Sequence, residues 1–178
     1  MRITAGHMRG RVMRVPDIEG LRPTPSRVRE ALFNMLDDIH GSSVLDLFAG
    51  SGVIGLEALS RGAKSVTCIE GDRAACKAMK NIQESWQVDG WTIQAGKLPQ
   101  DLPSSTYFDI VFADPPYNKG LAAQVPAWLK KNNVSYETLV VEEASQAKVD
   151  WKQGLSPVKQ RKYSETTLYF FESNMEQI

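Results

Sequence analysis

The chain has 178 residues, 42% of them apolar, and its 21 Lys+Arg balance 21 Asp+Glu to a formal charge of zero. That length suits one domain with a sizeable core, and zero net charge argues against a protein that coats nucleic acid with its whole surface. No apolar run is long enough for a secretory leader or a membrane span, so a cytoplasmic protein with no membrane partner is expected. Cys68 and Cys76 form no Cys-x-x-Cys pair and have only His7 and His40 beside them. Both read as buried reduced thiols, and no metal is expected.

Charge is unevenly spread. Within the first thirty residues Arg2, Arg9, Arg11, Arg14, Arg22, Arg27 and Arg29 face only Asp17, Glu19 and Glu30, and no lysine precedes Lys64. Guanidinium groups fork two hydrogen bonds onto one phosphate, so the arginines are candidate nucleic-acid contacts; a solvated arginine-rich surface explains them equally well.

In chain order, Arg2 to Ala5 and Arg11 to Val15 flank Gly6-His7-Met8-Arg9-Gly10 and read as a small hairpin arm outside the main core. Thr24-Pro25 reads as an N-cap with proline at the first helical position, and Val28, Ala31, Leu32, Met35, Leu36 and Ile39 repeat at helical spacing. Val44 to Phe48 is a short apolar strand, Gly50-Ser51-Gly52 a tight turn, and Val53 to Ser60 a helix stopped at Arg61-Gly62. A strand over Ser65 to Glu70, a helix from near Asp72 to about Trp86 and a strand over Trp91 to Ala95 continue the alternation. Phe108 to Ala113 is the next strand, Leu121, Val125, Trp128 and Leu129 mark a helix, and Thr138 to Val141 is a fifth strand. Val158 to Tyr163 and Thr166 to Phe171 close the chain as an antiparallel pair. Right-handed βαβ crossovers make this an open doubly wound α/β sheet, with ligands beyond the carboxyl ends of its strands.

Chemistry-bearing residues fall at those ends. Asp46 to Gly55 contains a literal GxGxxG between a strand and a helix, where glycines let a ligand approach the backbone and the helix offers free amides. No lysine follows the turn, so it is not a Walker A loop. Glu70, ending the second strand, suits the two ribose hydroxyls of an adenosine, in NAD or in S-adenosylmethionine. Asp46 favours the latter: a carboxylate ~5 Å from a pyrophosphate, at an effective dielectric of ~20, costs about 3 kcal/mol, whereas S-adenosylmethionine offers an ammonium and a sulfonium.

Asp114-Pro115-Pro116-Tyr117 ends the fourth strand. The lone pair of an exocyclic purine amine is delocalised into the ring, and two acceptors gripping its hydrogens favour a pyramidal, nucleophilic nitrogen. Asp114 and the Pro115 carbonyl supply two acceptors, Pro116 restrains Pro115 to an extended conformation, and Tyr117 suits stacking on a flipped base. Taken alone the tetrapeptide is an ordinary strand-terminating turn; with Asp46, the glycines and Glu70 in this order it points to amine methylation.

The chain resembles the RsmD family of bacterial 16S rRNA guanine-N2 methyltransferases in Arg9-Gly10-Arg11, Leu21-Arg22-Pro23-Thr24, Val28 to Asn34, Leu45 to Gly52, Leu56 to Ala63 and Asp114 to Tyr117. The resemblance implies a Rossmann-like class I methyltransferase fold with a seven-stranded, mostly parallel sheet, an antiparallel last strand and a small N-terminal hairpin arm (1–20) on a catalytic core (21–178), all one domain. It implies S-adenosyl-L-methionine as donor and, as partner, 16S rRNA in the small ribosomal subunit or an assembly intermediate; the chain itself is expected to be a monomer. Asp46, Phe48, Gly50, Ser51, Gly52, Glu70, Gly71 and Leu98 would hold the cofactor, Asp114 to Tyr117 the target base, and Arg9, Arg11, Arg22, Thr24 and Arg29 the RNA. Ala95-Gly96-Lys97-Leu98 departs from the acidic or amide residue common near the cofactor's adenine, and His7 and Ser164 stand where glycines are usual. Rival readings are an adenine-N6 methyltransferase, a nicotinamide oxidoreductase that leaves Asp114 to Tyr117 unexplained, and a noncatalytic RNA-binding assembly factor.

Overall fold

A computed structural model describes residues 1–14, 24–151 and 155–173. It contains a seven-stranded sheet in the order β3-β2-β1-β4-β5-β7-β6, as expected of the class. The chain groups into two compact units, residues 1–98 and 99–178.

The first unit holds α1 (Ser26–Met35), β1 (Ser43–Leu47), α2 (Val53–Ser60), β2 (Ser65–Glu70), α3 (Arg73–Trp86) and β3 (Trp91–Ala95). β2 pairs in parallel with β1 and with β3, Asp46 beside Cys68 and Glu70 beside Ala95. Every residue of α2 is buried, which is why its sequence has little amphipathic pattern. α3 has polar residues on one side and buries Ala75, Cys76, Met79 and Ile82 on the other; Asp72 caps it, its carboxylate accepting from the Ala75 amide at 2.8 Å.

The start of α1 differs from expectation. Thr24 is not the N-cap: Pro25 is, with no side-chain cap, and Thr24 is buried. The helix stops at Met35 rather than reaching Ile39, because Asp37 turns left-handed at φ 55° and two aspartates at a helix C-terminus oppose its dipole.

The N-terminal segment is not an arm outside the core. Its two sides meet at one antiparallel bridge, Arg2 with Val12, and Ile3, Met8 and Met13 are buried. The segment sits on α2: the His7 amide donates to the Ser60 carbonyl at 2.8 Å and the Met8 amide to Ser60 Oγ at 2.9 Å. Gly6, at φ 77°, has no alternative residue, since a Cβ there would lie 1.7 Å from the Ser60 carbonyl oxygen.

Glu57 of α2, with no solvent exposure, organises this contact. Its carboxylate accepts from the Thr4 and Ala5 amides at 3.0–3.1 Å, from the Thr4 hydroxyl and from Arg61 Nε at 3.2 Å. Arg29 Nε lies 3.7 Å away, and the same guanidinium donates to the carbonyls of Thr24 and Arg2, each at 2.7 Å.

The second unit holds β4 (Thr106–Ala113), a 3-10 turn (Ala122–Gln124), α4 (Val125–Lys131), β5 (Val134–Ala144), β6 (Lys159–Tyr163) and β7 (Thr166–Glu172). β5 is longer than its apolar stretch: it pairs in parallel with β4 from Val134 to Val141 and antiparallel with β7 from Thr138 to Ala144. Two partners carry it through Ser135, Glu137, Glu142 and Glu143, where hydropathy gives no strand signal. Ser164 turns the β6–β7 hairpin at φ 46°, taking the left-handed conformation a glycine would adopt freely.

Glu57→Ala leaves the buried Arg29 without its carboxylate and is expected to destabilise the protein by about 3–5 kcal/mol in urea unfolding. Glu57→Gln, which keeps one acceptor, should lose less; a loss under about 1 kcal/mol for the alanine variant would show that the hairpin docks without this carboxylate.

Candidate functional site

In the first unit, β1 ends at Leu47 and the chain turns sharply: Phe48 has φ 60°, Gly50 φ 55° and Gly52 φ 74°. The Ala49 amide donates to the Ile69 carbonyl and the Gly52 amide to the Ala49 carbonyl, so the turn is fixed to β2 and to itself. Ser51 is buried, and its Oγ accepts from the Val53 amide at 3.4 Å.

Gly52 does not leave room for a ligand, which was the reason expected for it. A Cβ there would sit 2.5 Å from Met79 Sδ and 2.7 Å from Trp91 Cζ2, inside the protein. Gly55 is similar, with Val66 Cγ1 at 2.8 Å. Both glycines bring α2 close to β2, β3 and α3.

Glu70 holds the turn from β2. Its Oε2 accepts from the Gly50 amide and its Oε1 from the Asp72 amide, each at 2.7 Å. A carboxylate has about four lone-pair positions, so both oxygens retain acceptor capacity for a diol. Gly71 is exposed, and a Cβ on it would meet only the Gly96 carbonyl oxygen, at 3.5 Å; Leu98 is half-buried beyond β3.

Asp46 is 1% exposed. Trp91 Nε1 donates to Cys68 Sγ at 3.1 Å, and the Cys68 thiol donates to Asp46 Oδ2 at 3.7 Å. Burial pushes the Asp46 carboxyl up to about 7, opposed by the Cys68 thiol and the Gly55 amide. Burial, followed by the adjacent Asp46 charge, also pushes the Cys68 thiol up, so it stays protonated and able to donate. A weak thiol donor and one amide leave the Asp46 charge poorly compensated, so a cationic ligand group fits here. With the Glu70 acceptors, the residues present fit the ammonium and ribose of S-adenosylmethionine.

In the second unit, Asp114 to Tyr117 follow β4 directly. Asp114 is half-buried, Pro115 buried and Pro116 exposed. Tyr117 is half-buried and anchored: its hydroxyl donates to Glu142 Oε1 at 2.7 Å and lies 3.0 Å from Thr166 Oγ1, which itself donates to Glu142 Oε1 at 2.9 Å. Burial, then Glu142 and Asp114, push the Tyr117 phenol far above its usual range. Burial likewise raises the Glu142 carboxyl, opposed by the Tyr117 and Thr166 hydroxyls. The next residue, Asn118, has φ 58°, and its amide donates to Glu143 Oε1 at 3.2 Å. Glu142, Glu143 and Thr166 were not foreseen; two adjacent acids in an apolar strand were the available signal, since β alternation cannot expose both.

The arginines separate by environment. Arg29 is not an RNA contact: it is 2% exposed and bound to Glu57 and two carbonyls, with burial lowering its guanidinium below the usual range against the pull of Glu57. Thr24 is buried and gives its carbonyl to Arg29. Arg9 and Arg11 are exposed, the Arg11 guanidinium lying 4.0 Å over the Trp86 ring. Arg22 lies outside the described residues.

A glycine turn after β1, an acid closing β2 and an Asp-Pro-Pro-Tyr loop after β4, on a seven-stranded sheet with β7 antiparallel, define the Rossmann-like methyltransferase class. The chain belongs to the RsmD family: the family model described as Conserved hypothetical protein 95 matches residues 1–172. It is 44% identical over 142 residues to the ribosomal RNA small subunit methyltransferase D of Haemophilus influenzae, spanning 75% of this chain and 72% of that protein. The solved structure of a putative methyltransferase from Escherichia coli superposes with TM-score 0.85 at 33% identity, covering 97% of both chains. An RNA methyltransferase from Salinibacter ruber, solved with S-adenosyl-L-homocysteine, shares the fold at TM-score 0.67 and 20% identity over 85% of this chain and 93% of that one.

Two consequences are measurable. The folded Asp46 carboxyl keeps its proton up to about pH 7 and the unfolded one only up to about 3.8, so folding binds a proton in that window and stability falls as pH rises through it. Asp46→Asn removes this term: its stability relative to the native protein should rise by roughly 2–3 kcal/mol between about pH 5 and about pH 8 in urea unfolding. A constant difference would place the titration elsewhere. Tyr117→Phe removes one of the two hydroxyls on Glu142 Oε1 and should lower stability by about 1–3 kcal/mol at neutral pH; a neutral substitution would show that Thr166 suffices.

Proposed function

We propose that this chain methylates ribosomal RNA, transferring a methyl group from S-adenosylmethionine to the exocyclic N2 of a guanine in 16S rRNA of the small ribosomal subunit. The observation that carries the reading is the Asp114-Pro115-Pro116-Tyr117 loop at the end of β4, anchored through Tyr117 to Glu142 and Thr166. The family relation supports it: the Haemophilus influenzae relative is named for ribosomal RNA of the small subunit. That name specifies no acceptor atom; guanine N2 comes from the resemblance read in the sequence.

The bound donor supplies an electrophilic methyl on a sulfonium. Asp46 answers its ammonium, and Glu70 accepts from its ribose while fixing Gly50. The Asp114 carboxylate and the Pro115 carbonyl accept the two hydrogens of the guanine amine, favouring a pyramidal nitrogen whose lone pair is free to attack. Because Glu142 and Thr166 fix the Tyr117 hydroxyl, the phenol ring offers the base a stacking face of set orientation rather than one that must be ordered on binding. Asp114, in contact with the amine, would accept the proton that the amine releases on taking the methyl group, the donor's methyl–sulfur bond breaking to leave a neutral thioether. Arg9 and Arg11 contact RNA phosphates. We place the protein in the cytoplasm, working on the subunit as a monomer.

The test is incubation with tritiated S-adenosylmethionine and small subunits from cells lacking this protein, followed by nucleoside analysis. Labelled N2-methylguanosine is expected; labelled N6-methyladenosine would move the target to adenine and overturn the guanine assignment. Asp114→Ala should lower turnover about a hundredfold or more while cofactor affinity, measured by calorimetry, changes little. Undiminished turnover would remove Asp114 from the chemistry.

A further inference from the structure

Within the first unit a groove of about 610 Å³ runs between the hairpin edge and α3. Val12, 53% exposed, and Arg14 form the hairpin wall, and Lys77, Asn81 and Ser85 the helix wall. These three helix residues recur every fourth position and so form one stripe along α3, on which Arg73 lies one turn earlier. Ala74, Ala78 and Ile82 form an apolar row in the groove lining, and Trp86, with the Arg11 guanidinium stacked on its ring, lines it farther along the helix. From Ala74 to Trp86 the helix rises about 18 Å at 1.5 Å per residue, enough for several stacked nucleotides.

Charge selects the occupant. Among the described residues no aspartate or glutamate lines the groove, and neither Arg14 nor Lys77 has an ion-pair partner. In a chain of zero net charge, a channel whose described ionisable wall residues, Arg14 and Lys77, are both cationic is a local feature. Unpaired cations on both walls match the phosphates of a strand, the apolar row admits flat sugar–base units, and Asn81 offers an amide for a base edge. The Arg11–Trp86 pair adds a flat, cationic stacking surface farther along the helix.

We infer that the groove between the hairpin edge and α3 is a track for an rRNA strand, with Arg14 and Lys77 on its phosphates, Asn81 on a base edge and the Arg11–Trp86 stack farther along the helix. This rests on the ribosomal RNA reading above and extends the substrate interface to α3, whereas the pattern of arginines along the sequence points only to residues before Glu30. Arg29, one of those residues, is replaced in this role by exposed cations on the groove walls.

The experiment measures binding of the full-length protein to small subunits from cells lacking it, across a salt series. Losing two phosphate contacts lowers the slope of log affinity against log salt by about two. The Arg14→Ala/Lys77→Ala double variant should show that change and a tenfold or greater loss of affinity at low salt. Lys80→Ala, an exposed lysine on the same helix off the stripe, should retain the native slope, and cofactor affinity should be native in all variants. An unchanged slope in the double variant overturns the track. A photo-crosslinker attached at Asn81→Cys should label rRNA; labelling of ribosomal protein alone makes the groove a protein-docking surface and overturns the proposal. Methyl transfer by the native protein reports separately on the enzymatic reading: subunits bound with the expected slopes but never methylated would leave the track standing and remove the activity.

Discussion

A carboxylate with no access to water fixes the N-terminal half of this protein. Glu57 sits in a helix whose every residue is buried, and an isolated charge there would cost far more than the domain's net stability. Two amides and a hydroxyl from the hairpin, the guanidinium of Arg29 in α1 and that of Arg61, the C-cap of α2, compensate it. Each donor therefore helps to hold the N-terminal segment in place. The hairpin is docked, Arg29 is turned inward with its other nitrogens on the carbonyls of Thr24 and Arg2, and Arg61 is held over the Phe33 ring at 4.7 Å.

That constraint sorts the arginines. Arg29 serves the interior, whereas Arg9, Arg11 and Arg14 are exposed. Because Glu57, Ser60 and the buried Ile3, Met8 and Met13 hold the hairpin rigidly on α2, its outer edge meets α3 at a fixed spacing. A groove with cations at fixed positions loses less entropy on binding a polyanion than a loose basic tail would.

Most of the fold was legible because periodicity and punctuation agreed: α2, β2 and β3 have the bounds that apolar runs and glycines mark. The expectation failed where neighbours rather than local sequence decide. β5 extends through polar residues because strands pair on both sides of it, and α1 stops early at Asp37. Arg29 and Arg11 are the same residue type in the same basic stretch, and only the position of Glu57, some thirty residues on, distinguishes an internal anchor from a surface cation. The glycine turn was legible, but the steric reason for Gly52 was not, since its contacts with Met79 and Trp91 join elements far apart in the chain. Glu142 escaped notice because a paired acid in a strand reads as exposed until the partners of the strand are known.

Three of the four carboxylates buried among the described residues, Glu57, Glu142 and Asp46, differ in how far their burial is compensated. Glu57 has five donor groups around it, two of them cationic. Glu142 has the hydroxyls of Tyr117 and Thr166 on a single oxygen, enough to orient a loop. Asp46 has a thiol at 3.7 Å and one amide, and its carboxyl is raised to about 7. Stability alone would favour an apolar residue at the end of β1, since a group so weakly served makes the folded protein less stable as it ionises. In the proposed function a carboxylate there attracts a cation, and the energy lost to its burial is recovered when such a group arrives. Asp46 is thus weakly served and Glu142 keeps one oxygen without a hydrogen-bond partner, while the most compensated acid, Glu57, holds the scaffold.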